Sequence, residues 1–209
     1  MSEVKIGKVT LGQYATNCYF LYREGSSDLV LIDPADSGAY LYDKLTEKGF
    51  SIKAILLTHG HFDHIFGVDV LRKKTGAKVY ACEAERELLE DTRLNVSEGV
   101  GRPTVVHPDV FLRDGEELDL CDIHLKVIHT PGHTAGSCCF YVKEAGFLIA
   151  GDTLFEGSVG RTDLPTGSTR TMMDSIKEKL MALPDDTKVY PGHGGSTTIG
   201  FERENNPFL

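Results

Sequence analysis

Ala54-Ile55-Leu56-Leu57-Thr58-His59-Gly60-His61-Phe62-Asp63-His64 joins an apolar, strand-like run to three imidazoles and a carboxylate. So dense a polar cluster does not suit a packing role, because every buried polar side chain needs a hydrogen-bonding partner. A metal ion supplies that partner. The arrangement recurs downstream: Lys126-Val127-Ile128 leads to His129-Thr130-Pro131-Gly132-His133, Phe147-Leu148-Ile149-Ala150 to Gly151-Asp152, and Lys188-Val189-Tyr190 to Pro191-Gly192-His193. Strands of one sheet that end at a common edge bring these groups together. His59, His61, Asp63, His64, His133, Asp152 and His193 are therefore the candidate ligands. A tetrahedral ion takes about four protein ligands, or three plus a water in a catalytic site. Two divalent ions sharing a carboxylate account for the whole set, and donors of nitrogen and oxygen without sulfur suit zinc, iron or manganese.

Outward from this cluster, Val4 to Leu11, Asn17 to Tyr22 and Leu29 to Ile32 read as strands, the last stopped by Asp33-Pro34. Asp33 either accepts a hydrogen bond from a metal-ligating histidine, fixing its ring, or starts the turn before proline. Ser37 to Lys48 reads as a helix with Ser37 as its N-cap and Gly49 as its stop. Ile65, Val68 and Leu71 mark a helix that ends near Gly76 and is entered at Asp63-His64. Lys78 to Ala81 reads as a strand and Glu83 to Glu90 as a helix. Residues 91–109, with Gly99, Gly101, Pro103 and Pro108, show no period and read as an irregular surface excursion of the kind that forms lids or substrate walls. Strands at Ile123 to Ile128, Ser137 to Val142, Phe147 to Ala150 and Thr187 to Tyr190 then surround a helix from about Ser168 to Leu183, striped by Met172, Ile176 and Leu180. The order fits two mixed sheets packed face to face with helices outside, an α+β class. His107 and His124 read as solvated, and His129 as strand-end packing or a further site residue. Thr198 to Asn205 is either a short capped helix beside His193 or a tail.

The 209 residues read as one domain, large enough to bury roughly 70% of the surface that the unfolded chain exposes. Hydrophobic residues at 41% and charged residues at 25% fit a soluble chain, and no apolar run approaches the roughly 20 residues of a membrane span. A net charge of −9 with no long basic cluster argues against nucleic acid. Met1-Ser2-Glu3-Val4-Lys5 does not read as a secretory signal. Cys18, Cys82, Cys121, Cys138 and Cys139 are odd in number and never spaced as Cys-x-x-Cys, so free thiols in a reducing cytoplasm are expected. The sequence carries no signal for oligomeric state.

Thr58-His59-Gly60-His61-Phe62-Asp63-His64, with His133, Asp152 and His193 each in its setting, resembles the metallo-β-lactamase superfamily, which implies a four-layer αββα sandwich. By that resemblance His59, His61 and His133 hold one ion, Asp63, His64 and His193 hold the other, and Asp152 bridges. Thr130-Pro131-Gly132-His133-Thr134 and Tyr190-Pro191-Gly192-His193-Gly194 are similar to the glyoxalase II (hydroxyacylglutathione hydrolase) branch. Gly157 to Pro165 and the ending, Thr197-Thr198-Ile199-Gly200-Phe201-Glu202 with Asn206-Pro207-Phe208-Leu209, are similar to its short bacterial members, which lack the C-terminal helical domain that holds glutathione in longer enzymes.

The resemblance implies hydrolysis of a small thioester such as S-lactoylglutathione by hydroxide formed at a zinc pair, with Asp63 a catalytic ligand. Arg161 is the candidate for a substrate carboxylate, with Asp163 either orienting it or pairing with it to pin the loop. Persulfide dioxygenases share the fold and a Gly-Arg-Thr-Asp segment, and use a single iron with open positions for oxygen. A non-enzymatic scaffold is the third reading; the complete ligand set argues against it.

Overall fold

The computed structural model describes residues 2–209. Its first sheet runs in chain order through β1 (Val4–Leu11), β2 (Thr16–Arg23), β3 (Asp28–Ile32), β4 (Ser51–Leu56), β5 (Lys78–Cys82) and β6 (Val110–Leu112). The first two pairings are antiparallel and the remaining three parallel. Parallel neighbours need crossovers, and helices α1 (Gly38–Glu47), α2 (Phe62–Ile65), α3 (Val68–Thr75) and α4 (Arg86–Glu90) lie in those connections.

The second sheet is built from β7 (Glu117–Leu120), β8 (Ile123–His129), β9 (Cys138–Val142), β10 (Phe147–Gly151), β13 (Lys188–Pro191) and β14 (Thr197–Thr198). Its spatial order is β14-β13-β10-β9-β8-β7, with only β10 and β13 parallel. The small hairpin of β11 (Leu154–Phe155) and β12 (Ser158–Val159) leads to helix α5 (Thr169–Ser175), which runs on through a π-turn at Ile176–Leu180; α6 (Ile199–Asn205) closes the chain.

Side-chain alternation produces the layers. Along β3, Val30 and Ile32 point into a central core with Ile123, Leu125, Val127 and Phe140 from the other sheet. Leu29 and Leu31 point the other way, onto Leu41, Leu45 and Leu71 of the helical layer. Along β9, Cys138, Phe140 and Val142 face the centre, whereas Cys139 and Tyr141 face Met172, Ile176 and Leu180. Both faces of these strands are covered, which is why they read as unbroken apolar runs. The result is the expected α+β sandwich of two mixed sheets with helices outside.

Several local expectations are corrected. Ser37 takes the N-cap position of α1, its carbonyl accepting from Leu41 N at 3.0 Å, but its side chain makes no capping bond: it adopts φ 51°, and its backbone N–H donates to Asp36 Oδ1 at 2.6 Å. The helix foreseen from Asp63 to Gly76 is broken between α2 and α3. Gly67 there packs directly on Pro34, to whose carbonyl its N–H donates at 2.8 Å, and a Cβ at Gly67 would overlap that oxygen. Glu83 to Glu90 is a 3₁₀ turn at Glu83–Glu85 followed by α4. Residues 91–109 are irregular as foreseen, yet Asn95, Ser97 and Val106 are buried, and the Asn95 carbonyl accepts from Phe62 N at 3.1 Å. Thr198 caps α6, its hydroxyl accepting from Phe201 N at 3.2 Å. No helix among the described residues is long and apolar enough to cross a membrane.

Candidate metal centre

Four connections deliver the polar groups to one end of the sandwich: those after β4, β8, β10 and β13 carry His59 to His64, His133, Asp152 and His193 respectively. The structure brings all of these residues together. His59, His61 and His133 form one group and Asp63, His64 and His193 another, each offering ligand atoms within 4.8 Å of one another. Asp152 lies between the groups, its Oδ2 at 3.6 Å from His133 Nε2 and 3.4 Å from His193 Nε2, its Oδ1 at 3.4 Å from His64 Nε2.

The outer ring nitrogens are held by the protein, which fixes the tautomers the network implies. His64 Nδ1 donates to Asp33 Oδ2 at 3.0 Å, His133 Nδ1 to the Arg161 carbonyl at 2.7 Å and His193 Nδ1 to the Tyr14 carbonyl at 3.0 Å. His59 Nδ1 donates to Thr58 Oγ1 at 3.1 Å, and the Thr58 hydroxyl in turn donates to Asp33 Oδ2 at 2.6 Å. Each of these rings therefore turns an Nε2 lone pair inward. His61 instead sets its Nδ1 2.8 Å from His133 Nε2.

These atoms fit a bound cation. His59 Nε2, His64 Nε2 and Asp152 Oδ1 are buried without a hydrogen-bond partner. Native proteins rarely leave such atoms orphaned. Separations of 3.3 Å (His193 Nε2 to Asp63 Oδ2) to 3.7 Å (His64 Nε2 to Asp63 Oδ2) are long for hydrogen bonds. They bracket the roughly 3.4 Å between two donors that share a tetrahedral ion at about 2.1 Å.

The electrostatics divide the two groups. Burial, reinforced by the neighbouring imidazoles, pushes His59 well below the ordinary imidazole value and His61 to about 3. Burial also lowers His64 and His193 in isolation, but the carboxylates outweigh it: Asp63, Asp152 and Asp33 hold His64 well above its usual value, and Asp152 and Asp63 hold His193 at about 9. Asp63 falls to about 2, the pull of His64 and His193 exceeding the effect of burial. The second group is thus a nest of carboxylates that requires positive charge.

Residues that sequence reasoning missed hold this geometry. The Thr16 hydroxyl donates to Asp63 Oδ2 at 2.9 Å, and Thr16 also bridges to the backbone of His193. Glu85 is fully buried between two ligand loops: Oε1 accepts from Gly60 N and Oε2 from Gly136 N, each at 2.8 Å, and both oxygens face the Thr134 hydroxyl at 2.9 Å. Burial pushes its carboxyl up to about 7 against the lowering effect of those donors. Nothing in the sequence distinguishes Glu85 from Glu83 or Glu87 beside it. The Arg161 guanidinium is paired with Asp163 through two bonds of 2.7 and 2.8 Å, and only its backbone carbonyl reaches the centre. His129 stands apart, its Nε2 donating to the Ala135 carbonyl at 2.9 Å, and His107 and His124 are exposed beside Glu90 and Asp119.

A sequence model of the metallo-beta-lactamase superfamily matches residues 11–193, a span that contains every one of the grouped ligands. The chain belongs to that superfamily. Among relatives of this metallo-beta-lactamase-fold chain, the probable metallo-hydrolase YqgX of Bacillus subtilis is 40% identical over 99% of this chain and 98% of that protein. The hydroxyacylglutathione hydrolase GloC of Haemophilus influenzae is 34% identical over 94% and 93%. In three dimensions the chain superposes on the BLEG-1 B3 metallo-beta-lactamase with a TM-score of 0.93 at 40% identity, covering 98% of this chain and 99% of that one. TTHA1623 in a di-iron-bound form gives 0.87 at 37% identity, covering 97% and 100%. This is a metallo-hydrolase fold whose histidines and aspartates are arranged to take a dinuclear metal site.

Proposed function

We propose that this protein hydrolyses small thioesters, S-lactoylglutathione among them, at a site holding two divalent ions, zinc foremost, with iron or manganese able to serve. The observation that carries the reading is the set of inward-turned, partnerless nitrogens and oxygen on both sides of Asp152. The similarity to a hydroxyacylglutathione hydrolase supports the thioester, and that to a di-iron protein supports two ions.

His59, His61 and His133 would hold one ion and Asp63, His64 and His193 the other, with Asp152 placed between the two groups to serve either. When bound, such a pair lowers the pKa of a coordinated water and polarises a carbonyl as a Lewis acid. Asp33 and the carbonyls of Tyr14 and Arg161 keep protons on the outer ring nitrogens, leaving the inner ones free to bind. Thr16 holds one Asp63 oxygen in place. Tyr14 and Phe62 meet edge to face beside Asp63, with centroids 4.9 Å apart. A thioester suits this arrangement because a thiol of pKa near 8.5 leaves readily as thiolate, so no separate strong general acid is required.

Elemental analysis of the purified protein alongside thiol release from S-lactoylglutathione tests the reading. Two equivalents of metal with stoichiometric thiol support it. A single iron with oxygen uptake would instead assign the persulfide dioxygenase chemistry, and no turnover of any thioester would reject the substrate class.

A further inference from the structure

Beside Asp63 opens a cleft of about 360 Å³, within the size range of small-molecule sites. It is lined by Asp63 and the fully buried Thr16, by Leu11, Tyr14, Phe66 and Val100, and by the solvent-facing pair Arg102 and Asp36. Tyr14 and Val100 expose 51% and 38% of their surface, so apolar area is presented directly outside the metal centre. One wall comes from the turn between β1 and β2, the other from the irregular segment after Asn95.

Arg102 is the cleft's cation, and it is held in one orientation. Its guanidinium lies 4.1 Å from the centroid of the Phe66 ring, and Nη1 donates to Asp36 Oδ1 at 2.9 Å. The same Asp36 oxygen accepts from Ser37 N at 2.6 Å, so this carboxylate is anchored to the backbone and orients the arginine. Nη2 makes only a long contact of 3.5 Å to the Phe66 carbonyl, and Nε has no acceptor among the described residues. A planar cation with free donors, stacked on an aromatic ring, loses little freedom on receiving a carboxylate. Arg161 differs, its Nε and Nη2 both being taken by Asp163 in a two-bond pair. The chain's net charge of −9 repels anions overall, so an anionic substrate needs a local cation besides the metals.

Resting on the thioester reading above, we infer that this cleft holds the thiol arm of the substrate and that Arg102 receives a carboxylate at the end of that arm. The arm lies along Phe66 and Val100, placing the reacting carbonyl at the Asp63 end. Arg102 then determines specificity without touching the reacting atoms.

The test is calorimetric titration of the metal-loaded protein with S-methylglutathione, a thioether that cannot be hydrolysed, and with its dimethyl ester. The wild-type protein binds the acid more tightly than the ester. Arg102→Gln weakens the acid roughly tenfold, the range of a partly exposed charge-assisted hydrogen bond, and leaves the ester unchanged. With S-lactoylglutathione the same variant raises KM by a similar factor at constant kcat. The inference is overturned if acid and ester bind the wild type alike, if Arg102→Gln lowers both together, or if neither binds. Acid binding that depends on Arg102 without any thioester turnover would sink the hydrolase reading while leaving the carboxylate site in place.

Discussion

Asp33 Oδ2 accepts from His64 Nδ1 at 3.0 Å, between side chains that are 2% and 0% exposed. The same oxygen takes the Thr58 hydroxyl, and Oδ1 takes Thr58 N at 2.8 Å, so one buried carboxylate sets the orientation of His64 and, through Thr58, of His59. Asp33→Asn keeps a residue type that tolerates the backbone φ of 49° but forces an amide N–H to face these donors. Metal affinity should fall by about 10–100-fold, the usual effect of losing such a partner. Competition with a chromophoric chelator measures it, and unchanged affinity would remove Asp33 from the site.

Glu85 gives a pH dependence. Its folded pKa is raised to about 7 by burial, from an ordinary 4.5, so the buried carboxyl is favoured in its protonated form. Its contribution to stability is fully present below pH 4.5 and is lost as pH rises through 7. That amounts to on the order of 3 kcal/mol. Glu85→Gln cannot ionise, and its amide N–H must oppose Gly60 N or Gly136 N. The variant should be less stable than the wild type at pH 5, and the gap should narrow towards pH 8. Urea unfolding of chelator-treated protein across that range checks it; a gap independent of pH would mean that Glu85 is ionised throughout.

The strands that end in ligands were legible because each is a short apolar run stopped by a Gly, Pro or Asp turn, as in Ile149-Ala150-Gly151-Asp152. Two facing sheets with helices outside followed from the order of strands and helices along the chain, and the four-layer αββα arrangement from the resemblance. What stayed hidden depends on contacts between distant segments. Ser37 has the composition of a cap and stands at the cap position, but in the left-handed region, where its side chain makes no capping bond. Phe66-Gly67 continues a helical period in sequence and is broken only by Pro34. Thr16 and Glu85 become site residues through partners 47 and 25 positions away, which no local pattern encodes.

Gly192 sits where no side chain fits. A Cβ there would overlap Asp152 Oδ1 and stand 2.8 Å from His64 Cε1, while the residue's N–H and carbonyl are fixed by the Gly151 carbonyl and by Asn17 N. The backbone cannot retreat, so in Gly192→Ala it is Asp152 that moves. Overpacking of this kind costs about 1–3 kcal/mol, but the diagnostic loss is in the metal: the bound stoichiometry should drop below that of the wild type at equal fold content. Full stoichiometry with normal turnover would show that Asp152 tolerates the displacement.

Asp63→Ala separates chemistry from folding. The Asp63 side chain is 14% exposed and faces the like charge of Asp152, but it also pairs with His193 and His64 and accepts from Thr16, so its removal relieves one repulsion and gives up those contacts. The metal-free protein should lose some thermal stability while keeping its fold. Turnover should fall by more than the roughly 10–100-fold typical of an outer partner, because a direct ligand is lost. Near-normal turnover would exclude a direct role for this carboxylate.

Removal of the metal should itself lower stability, since it leaves ligand atoms of both groups without a partner. His59 Nε2 and His64 Nε2 are buried without partners, and three carboxylates face His64 with no compensating lysine or arginine in contact. A cation that binds only the folded chain stabilises it by about 4 kcal/mol at a thousandfold excess over Kd. For a chain of this size that corresponds to roughly 8–16 °C in Tm. Scanning calorimetry before and after chelation, and again after adding zinc back, reads the effect directly. A Tm indifferent to chelator would mean that these lone pairs are met by water, and the assignment of the ligands would have to be withdrawn.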